Sequence, residues 1–306
     1  MKRFTSIAAL TAFLLTAAAC GDDSSTSNDT TGSTGAPITE AVTTEPVADA
    51  PQAIISLSPS GTELLFAIGA GDQVIAVDDY SNFPAEALEK PHELSGYEPN
   101  IEAIAALEPD LVVLADPTVQ PQLEALGIAV FVGSAPATFD DLYTQIEQLG
   151  AVTGHIGEAA ELVGQMQTDI AAAVAAAPAP AEPLTYYHEL DPTFYSVTSN
   201  TFIGQVYSLF GLTNIADGVE EGNDYPQLSA EYIVSSAPDL IFLADTKCCS
   251  ESAATVAARA GWTEIPAVAN GSIIEMDDDI ASRWGPRIVD YIAAVAAALA
   301  NVPAQG

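Results

Sequence analysis

Two fifteen-residue stretches decide the fold: Glu102–Asp116, EAIAALEPDLVVLAD, and Glu231–Asp245, EYIVSSAPDLIFLAD. They align without a gap. Each reads as a short helix that begins with a glutamate, a Pro-Asp turn and a strand whose apolar residues run without interruption, which is typical of a strand inside a parallel sheet. Each stretch ends on an aspartate, where its strand ends. The chain therefore contains one α/β lobe built twice.

Further apolar runs lie on either side of both stretches and alternate with helical patterns. From Phe139 to about Ala177 the pattern is helical almost throughout, although Gly154 and Gly157 allow a break. We predict an α/β protein of two Rossmann-like lobes joined by one long rigid helix. Because ligands of open α/β sheets bind beyond the carboxyl ends of the strands, we place a ligand cleft between the lobes.

The expected domain organisation follows from these patterns. Its parts are a signal peptide at 1–20, a Ser/Thr/Gly/Asp-rich tether at 21–52, an N-terminal lobe at 53–137, a linking helix at 138–178 and a C-terminal lobe at 183–302. The tether has almost no large apolar residue, so burial cannot offset its ordering entropy and we expect it to be disordered.

The first twenty residues, MKRFTSIAALTAFLLTAAAC, have a basic start, a short apolar stretch and small residues before Cys20, as in an export signal. Thr16–Cys20 followed by Gly21 resembles a bacterial lipobox, although Ala17 stands where a large aliphatic residue is usual. We predict lipidation of Cys20 and anchoring at the outer face of the cytoplasmic membrane, in a periplasm or at a cell surface. Ordinary cleavage that leaves a free thiol is the alternative.

Charge and motifs exclude several classes of function. The chain has 42 acidic and 7 basic residues, so its surface repels phosphate backbones and we expect no nucleic-acid partner. The sequence has no G-x-S-x-G elbow, phosphate-binding glycine loop or H-E-x-x-H helix, and its three histidines are scattered, so we expect no catalytic residues. A free zinc or manganese site would need converging histidines, and only His188 stands at a strand end.

Three motifs in register resemble a known family: Ile55–Glu63 (ISLSPSGTE), Leu94–Glu102 (LSGYEPNIE) and Glu108–Val112 (EPDLV). Over Ile54–Leu299 the chain resembles the cobalamin and ferric-siderophore binding proteins of ABC importers. The resemblance implies a monomeric, extracytoplasmic subunit that captures such a chelate and delivers it to a permease dimer with ATPase subunits. The alternatives are a protein that binds free zinc or manganese and a surface protein that senses a ligand without transport. The resemblance further implies two lobes bridged by one helix, modest closure, and no cofactor besides the ligand.

The resemblance also implies a docking role for Glu102 and Glu231, which match the exposed acidic residues that meet arginine pockets on the two permease subunits. Their equivalence in the internal repeat supports this role. Both glutamates also begin helices, where a negative charge favours the positive end of the helix dipole, and the two roles are compatible.

Candidate ligand contacts are polar and aromatic residues near strand ends. Tyrosine and tryptophan offer flat area to a bulky chelate, and an arginine can pair with its carboxylates, unless acids such as Asp277–Asp279 already hold it. With so few basic residues, a near-neutral hydroxamate or cobalamin is easier to accommodate than an anionic catecholate. The candidates are Ser58, Ser60, Tyr80, Tyr97, Asn100, Asp116, Glu189, Tyr225, Asp245, Lys247, Arg283 and Trp284.

Cys248 and Cys249 are adjacent and follow a predicted strand of the second lobe. In an exported protein disulfides persist, so a disulfide between neighbours is one interpretation. Two free thiols, or a metal-binding or redox role, are the others.

Overall fold

A computed structural model describes residues 50–180 and 182–302. The predicted signal peptide, Cys20 and all but the end of the predicted tether lie outside these residues. Within them, every helix is too short or too polar to cross a membrane.

The N-terminal lobe is built on a sheet of four parallel strands in the order β2-β1-β3-β4. The two central strands, β1 and β3, are buried along their whole length, which explains their uninterrupted apolar sequence. The strands are β1 Ile54–Leu57, β2 Val74–Val77, β3 Leu111–Leu114 and β4 Ala129–Val132, and the helices are α1 Pro59–Ala67, α2 Ile101–Ala105 and α3 Gln120–Ala125.

The C-terminal lobe repeats this plan with four parallel strands in the order β6-β5-β7-β8. In both lobes the first and third strands lie at the centre, so the structure confirms the duplication predicted from the sequence. The strands are β5 Thr185–Glu189, β6 Thr213–Asn214, β7 Leu240–Leu243 and β8 Ile273–Glu275. The helices are α6 Phe202–Ser208, α7 Ala230–Ser236, α8 Ala253–Ala257, α9 Pro266–Asn270, α10 Asp278–Ala281 and α11 Ile288–Ala300.

The aspartate of the Pro-Asp turn binds the backbone at the start of the first strand in each lobe. Asp110 Oδ2 accepts hydrogen bonds from the backbone N–H groups of Gln52, at 2.9 Å, and Ala53, at 3.0 Å. Asp239 Oδ2 accepts from the N–H of Thr185, at 2.9 Å, and from its hydroxyl, at 2.8 Å. In both lobes the aspartate before the third strand therefore fixes the start of the first.

The predicted linking helix at 138–178 is two helices, α4 Phe139–Thr153 and α5 Ile156–Ala176. Gly154 ends α4 with a left-handed backbone, φ 84°, which glycine adopts without steric cost. Only α5 runs on into the second lobe. Its 21 residues correspond to about 30 Å of helix.

One apolar core extends through both lobes. It contains Leu65 of α1, Ile146 of α4, Met166 of α5, Phe242 of β7 and Ile292 of α11. Helix α5 packs against both α4 and α11. Since side chains from both sheets share this core with the linking helix, bending between the lobes would disturb close packing, and the connection is stiff.

Candidate functional site

Exposed tyrosines stand on loops of both lobes. Tyr80 and Tyr97 belong to the N-terminal lobe, where Tyr97 is 88% exposed, and Tyr195 and Tyr225 belong to the C-terminal lobe. Exposed tyrosine side chains present broad amphipathic area to a ligand. We call these four side chains the aromatic rim.

A buried ion cluster joins the lobes. Glu63 of α1 is 1% exposed. Its Oε1 accepts a hydrogen bond from Arg283 Nη1 at 3.0 Å, and its Oε2 accepts one from Arg287 Nε at 3.0 Å. Arg287 Nη2 also donates to Glu63 Oε1. We call this three-residue cluster the Glu63 bridge. It attaches helix α1 to the segment before helix α11.

Arg283 extends the bridge to the loop after β2. Its guanidinium donates to the carbonyl oxygen of Tyr80 at 3.1 Å, to Asn82 Oδ1 at 2.8 Å and to Asp279 Oδ1 at 2.8 Å. Asn82 in turn donates to Asp279 Oδ2 at 3.2 Å. Arg283 therefore binds groups of both lobes at once.

Two further contacts hold the same face together. The backbone N–H of Trp284 donates to Ser60 Oγ at 3.2 Å, and the Arg287 guanidinium lies 4.3 Å from the centre of the Phe83 ring. Gly285 is required here, because a Cβ at this position would lie 2.7 Å from Glu63 Oε2.

A mostly apolar cavity of about 220 Å³ lies beside the bridge, lined by Tyr225, Trp284, Leu190, Phe202, Ile203 and Ile288 among others. A larger cavity of about 570 Å³ has Glu63, Asp72, Glu86 and Glu89 in its wall. Arg283 lines the first cavity and Glu63 the second, so their ion pair lies between the two. The apolar cavity is the better receptor for an uncharged part of a ligand, since the acidic one would leave carboxylates facing it.

The predicted basic contacts are already neutralised by the protein. Lys247 Nζ donates to Asp277 Oδ1 at 2.6 Å and to Asp279 Oδ2 at 2.9 Å. Arg283 is held by Glu63 and Asp279. That Lys247 and Arg283 contact a ligand stays a prediction, and an anionic ligand would first have to displace these carboxylates.

Several predicted polar contacts serve local structure instead. Ser58 Oγ caps α1 by accepting from the Gly61 N–H at 3.1 Å, and Asn100 Oδ1 caps α2 by accepting from the Ala103 N–H at 3.1 Å. Both residue types are favoured at this position, since they satisfy a free N–H of the first turn.

Ser60 and Asp116 are also engaged within the chain. Ser60 is buried and accepts from Trp284. Asp116 is exposed and accepts from the Thr118 N–H at 2.8 Å, and the hydrogen bonds with Thr118 hold its pKa below the usual value. Of the predicted contacts, Tyr80, Tyr97, Tyr225 and Trp284 therefore remain the strongest.

Glu189 and Asp245 are both fully buried in the C-terminal lobe, and their role as ligand contacts stays a prediction. Arg259 donates to both carboxylate oxygens of Glu189, at 2.6 and 2.5 Å, and to Glu251 at 2.9 Å. Its guanidinium also lies 4.6 Å from the centre of the Trp262 ring. Two carboxylates, those of Glu189 and Glu251, thus share one arginine.

Asp245 is the least satisfied member of this group. Its side chain is fully buried, and both of its oxygens lack a hydrogen-bond partner among the described residues. Burial, together with the neighbouring Glu189 and Glu251, raises the pKa of Asp245 to about 7. Burial and the two neighbouring carboxylates favour the neutral form of Asp245 more than the charge of Arg259 opposes it.

We predict that Asp245→Asn flattens the dependence of stability on pH. Because the pKa of Asp245 rises from 3.8 to about 7 on folding, its neutral form stabilises the folded state at low pH, and this contribution is lost as the pH rises through 7. An asparagine cannot ionise, so the free energy of unfolding at pH 8 should exceed that of the wild type by roughly 1–3 kcal/mol. Urea unfolding at pH 5, 6, 7 and 8 measures this difference.

Asp116→Asn, at an exposed carboxyl, is the control. Parallel pH profiles of the free energy of unfolding for Asp245→Asn and wild type would contradict the prediction.

His188 lies in the core rather than in the cleft. Its Nδ1 is 2.8 Å from the Tyr207 hydroxyl, and complete burial lowers the pKa of His188 to about 3, so the ring stays neutral. The histidine on which a free-metal site would depend is thus turned away from an entering ion.

Glu102 and Glu231 occupy equivalent positions in the structure. Each is exposed and is the second residue of its helix, α2 or α7. The helices are capped alike, by Asn100 in α2 and by Ser229, whose Oγ accepts from the Tyr232 N–H at 3.2 Å, in α7. The two lobes thus present the same acidic feature twice.

The sequence did not single out the centre of the interlobe contact. Glu63 lies inside a motif that carries the family resemblance, but its partner Arg283 is 220 residues away. The contributions of Asn82 and Phe83 were missed as well, whereas Asp279 was among the acids expected to hold the arginine. Co-variation between distant positions would be the signal for such a pair, and one sequence does not contain it.

Two duplicated α/β lobes, a stiff connecting helix and an aromatic rim define a two-lobe solute-binding protein. The chain belongs to the periplasmic binding protein family, whose sequence profile matches residues 54–280.

Three similar proteins illustrate the range of this family. The cobalamin-binding protein of Halobacterium salinarum is 32% identical over 262 residues, which is 82% of this chain and 70% of that protein. The uncharacterized ABC transporter substrate-binding lipoprotein YvrC of Bacillus subtilis is 29% identical, with 79% of this chain and 78% of YvrC covered. The crystal structure of the vitamin B12-binding protein BtuF of Vibrio cholerae matches with a TM-score of 0.69 at 27% identity, over 83% of this chain and 99% of BtuF.

Proposed function

We propose that this protein is the solute-binding lipoprotein of an ABC importer, which captures cobalamin or a ferric siderophore outside the cell and delivers it to its permease. In this proposal Cys20 carries the lipid, and the protein acts as a monomer with the permease dimer and its ATPase subunits as partners. The observation that carries the choice of ligand is the neutralisation of the basic side chains near the cleft.

The aromatic rim supports a bulky, flat ligand. Tyr80 and Tyr97 on one lobe and Tyr195 and Tyr225 on the other are exposed, so their rings and hydroxyl groups are available to a ligand. The apolar cavity of about 220 Å³ is smaller than the pockets of roughly 300–1,000 Å³ that enclose drug-sized ligands. It therefore suits one apolar group of a larger ligand, whose remainder would lie against the rim.

Charge favours cobalamin or a near-neutral ferric hydroxamate over an anionic catecholate. Lys247, Arg259, Arg283 and Arg287 are each held by carboxylates of the protein. A strongly anionic chelate would meet a surface of net negative charge without a free cluster of cations. A corrinoid would avoid this repulsion, and two of the similar proteins are described as binding cobalamin or vitamin B12.

The position of Trp284 allows a direct test by fluorescence. Trp284 lines the apolar cavity, whereas Trp262 is buried beneath Arg259. The exported chain, from residue 20 onward, would be titrated with cyanocobalamin, a ferric hydroxamate, a ferric catecholate and zinc. We expect saturable quenching by cobalamin or the hydroxamate with a Kd of about 1 μM or tighter.

Trp284→Phe is the control for this titration. It should remove most of the saturable quenching, while absorption of light by the ligand remains and is subtracted. Binding of zinc alone would favour a protein that binds free metal ions. Binding of none of the four ligands would contradict the proposed function.

A further inference from the structure

The loop between β7 and α8 contains a covalent constraint that ligand capture does not explain. The Sγ atoms of Cys248 and Cys249 are joined, and both residues are exposed. A disulfide between adjacent residues closes a small ring that includes the peptide bond between them. It therefore restricts the backbone at the point where the loop turns.

The same loop is anchored to α10 through a single carboxylate. Asp278 Oδ2 accepts from the backbone N–H groups of Lys247 and Cys248, both at 2.9 Å. Asp278 Oδ1 accepts from the Thr246 hydroxyl at 2.8 Å. The three donors belong to the consecutive residues Thr246, Lys247 and Cys248. Asp278 therefore keeps these hydrogen bonds only while the loop backbone holds its present conformation.

Asp278 lies between two other acids that depend on the same loop. Asp277 and Asp279 both accept hydrogen bonds from Lys247 Nζ. Three consecutive carboxylates repel one another, and donors from residues 246–248 offset this repulsion. If the loop turned away, the three acids would lose these donors together.

The acids lead directly to the contact between the lobes. Asp279 Oδ1 accepts from Arg283 at 2.8 Å, and Arg283 donates to Glu63 at 3.0 Å. A continuous series of hydrogen bonds and adjacent residues thus runs from the Cys248 N–H through α10 to the Glu63 bridge.

We propose that the Cys248–Cys249 pair is a redox-sensitive site whose disulfide holds α10 and the Glu63 bridge in place, and whose reduction loosens both. The reductant is an extracytoplasmic dithiol, either a protein or a small molecule. One of its thiolates attacks the sulfur of one cysteine, the S–S bond breaks, the other cysteine leaves as a thiolate and a mixed disulfide forms. The second thiolate of the reductant then attacks the reductant's own sulfur in this mixed disulfide and displaces the cysteine that was first attacked. The products are two cysteine thiols and the oxidised, cyclic disulfide of the reductant.

Hydrogen exchange measured by mass spectrometry tests this proposal without any ligand. The exported chain would carry Cys20→Ser, so that Cys248 and Cys249 are its only cysteines. After aerobic purification its mass should be two hydrogens below that of the same chain treated with dithiothreitol. In the reduced form, peptides covering 277–287 and 79–83 should exchange roughly fivefold faster, the factor that one typical hydrogen bond is worth.

Two variants and one control region distinguish an effect transmitted through Asp278 from an effect confined to the loop or spread over the whole protein. A double variant, Cys248→Ser with Cys249→Ser, should exchange like the reduced protein with or without dithiothreitol. Asp278→Asn should show faster exchange at 277–287 in both conditions, while peptides covering β1 at 54–57 should not change. An aerobic protein without the disulfide, or faster exchange confined to 245–251, would overturn the proposal.

The effect of disulfide reduction on ligand binding rests on the proposed function and is measured separately, by the Trp284 titration. We expect reduction to weaken binding of the chelate severalfold in the Trp284 titration. If no chelate binds in either redox state while exchange at 79–83 still responds to reduction, the proposed function fails and the redox site stands.

Discussion

Replacing Glu63 with glutamine is expected to lower the free energy of unfolding by about 3 kcal/mol, as measured by urea denaturation. Glu63 is buried and is bonded to both Arg283 and Arg287. Glutamine keeps the size of the side chain but leaves two largely buried guanidinium groups without their shared counter-charge. The loss should also loosen the lobes, because both arginines belong to the segment before α11.

The loss of stability expected for Glu63→Gln is opposite in sign to the general effect of removing a negative charge from this protein. The chain has 42 acidic against 7 basic residues, so removing one negative charge would otherwise relieve repulsion and stabilise the protein slightly. Glu147→Gln, at an exposed position on α4, makes the same change in charge far from the bridge and should shift stability by no more than about 0.5 kcal/mol. Equal stability of the two variants would show that the Glu63 bridge contributes nothing.

Reversing the charge at Glu102 and Glu231 together is expected to reduce transport by about a hundredfold, and each single variant by about tenfold. This follows from the proposed function, in which each glutamate meets an arginine of the permease. Both side chains are exposed and lie outside the interlobe contact, so the affinity for the chelate should not change. Uptake into proteoliposomes that contain the partner permease, together with the Trp284 titration, measures both quantities.

Glu147→Lys supplies the matched control, since it reverses an exposed charge on α4. It should leave uptake and affinity at wild-type levels. If the double variant also transports normally, the equivalence of Glu102 and Glu231 reflects only their positions in helices α2 and α7. Ligand sensing without transport would then be the better interpretation of the cleft.

The fold was predictable because its signals are local. The continuous apolar strands and the Pro-Asp turn are contiguous in sequence, and the two copies reinforce each other. Even so, Asp116 and Asp245 occupy matching positions of the repeat and have opposite environments. Asp116 is exposed, whereas Asp245 is buried beside Glu189 and Glu251. Side-chain burial depends on the loops packed over each lobe, and these loops are not duplicated.

The exposure of the aromatic candidates was predictable from the sequence, whereas most partners of the charged candidates were not. A tyrosine near a strand end can be recognised without knowing its neighbours, and Tyr80, Tyr97 and Tyr225 are indeed exposed. A charged residue is different, because its role depends on which opposite charge lies beside it. Lys247 and Arg283 could have faced a ligand, but acids nearby in space neutralise them, and Glu63 is remote in sequence from Arg283.

The apolar core shared by both lobes makes the whole body one cooperative unit. Separating the halves would expose apolar side chains that each half covers on the other, although each lobe repeats the other's topology and also has a smaller core of its own. In the proposed transport cycle, the spacing between the two acidic docking points would then hardly differ between empty and loaded protein. The permease would bind the protein with or without its ligand. Ligand-free protein would therefore compete with ligand-loaded protein for the docking site on the permease.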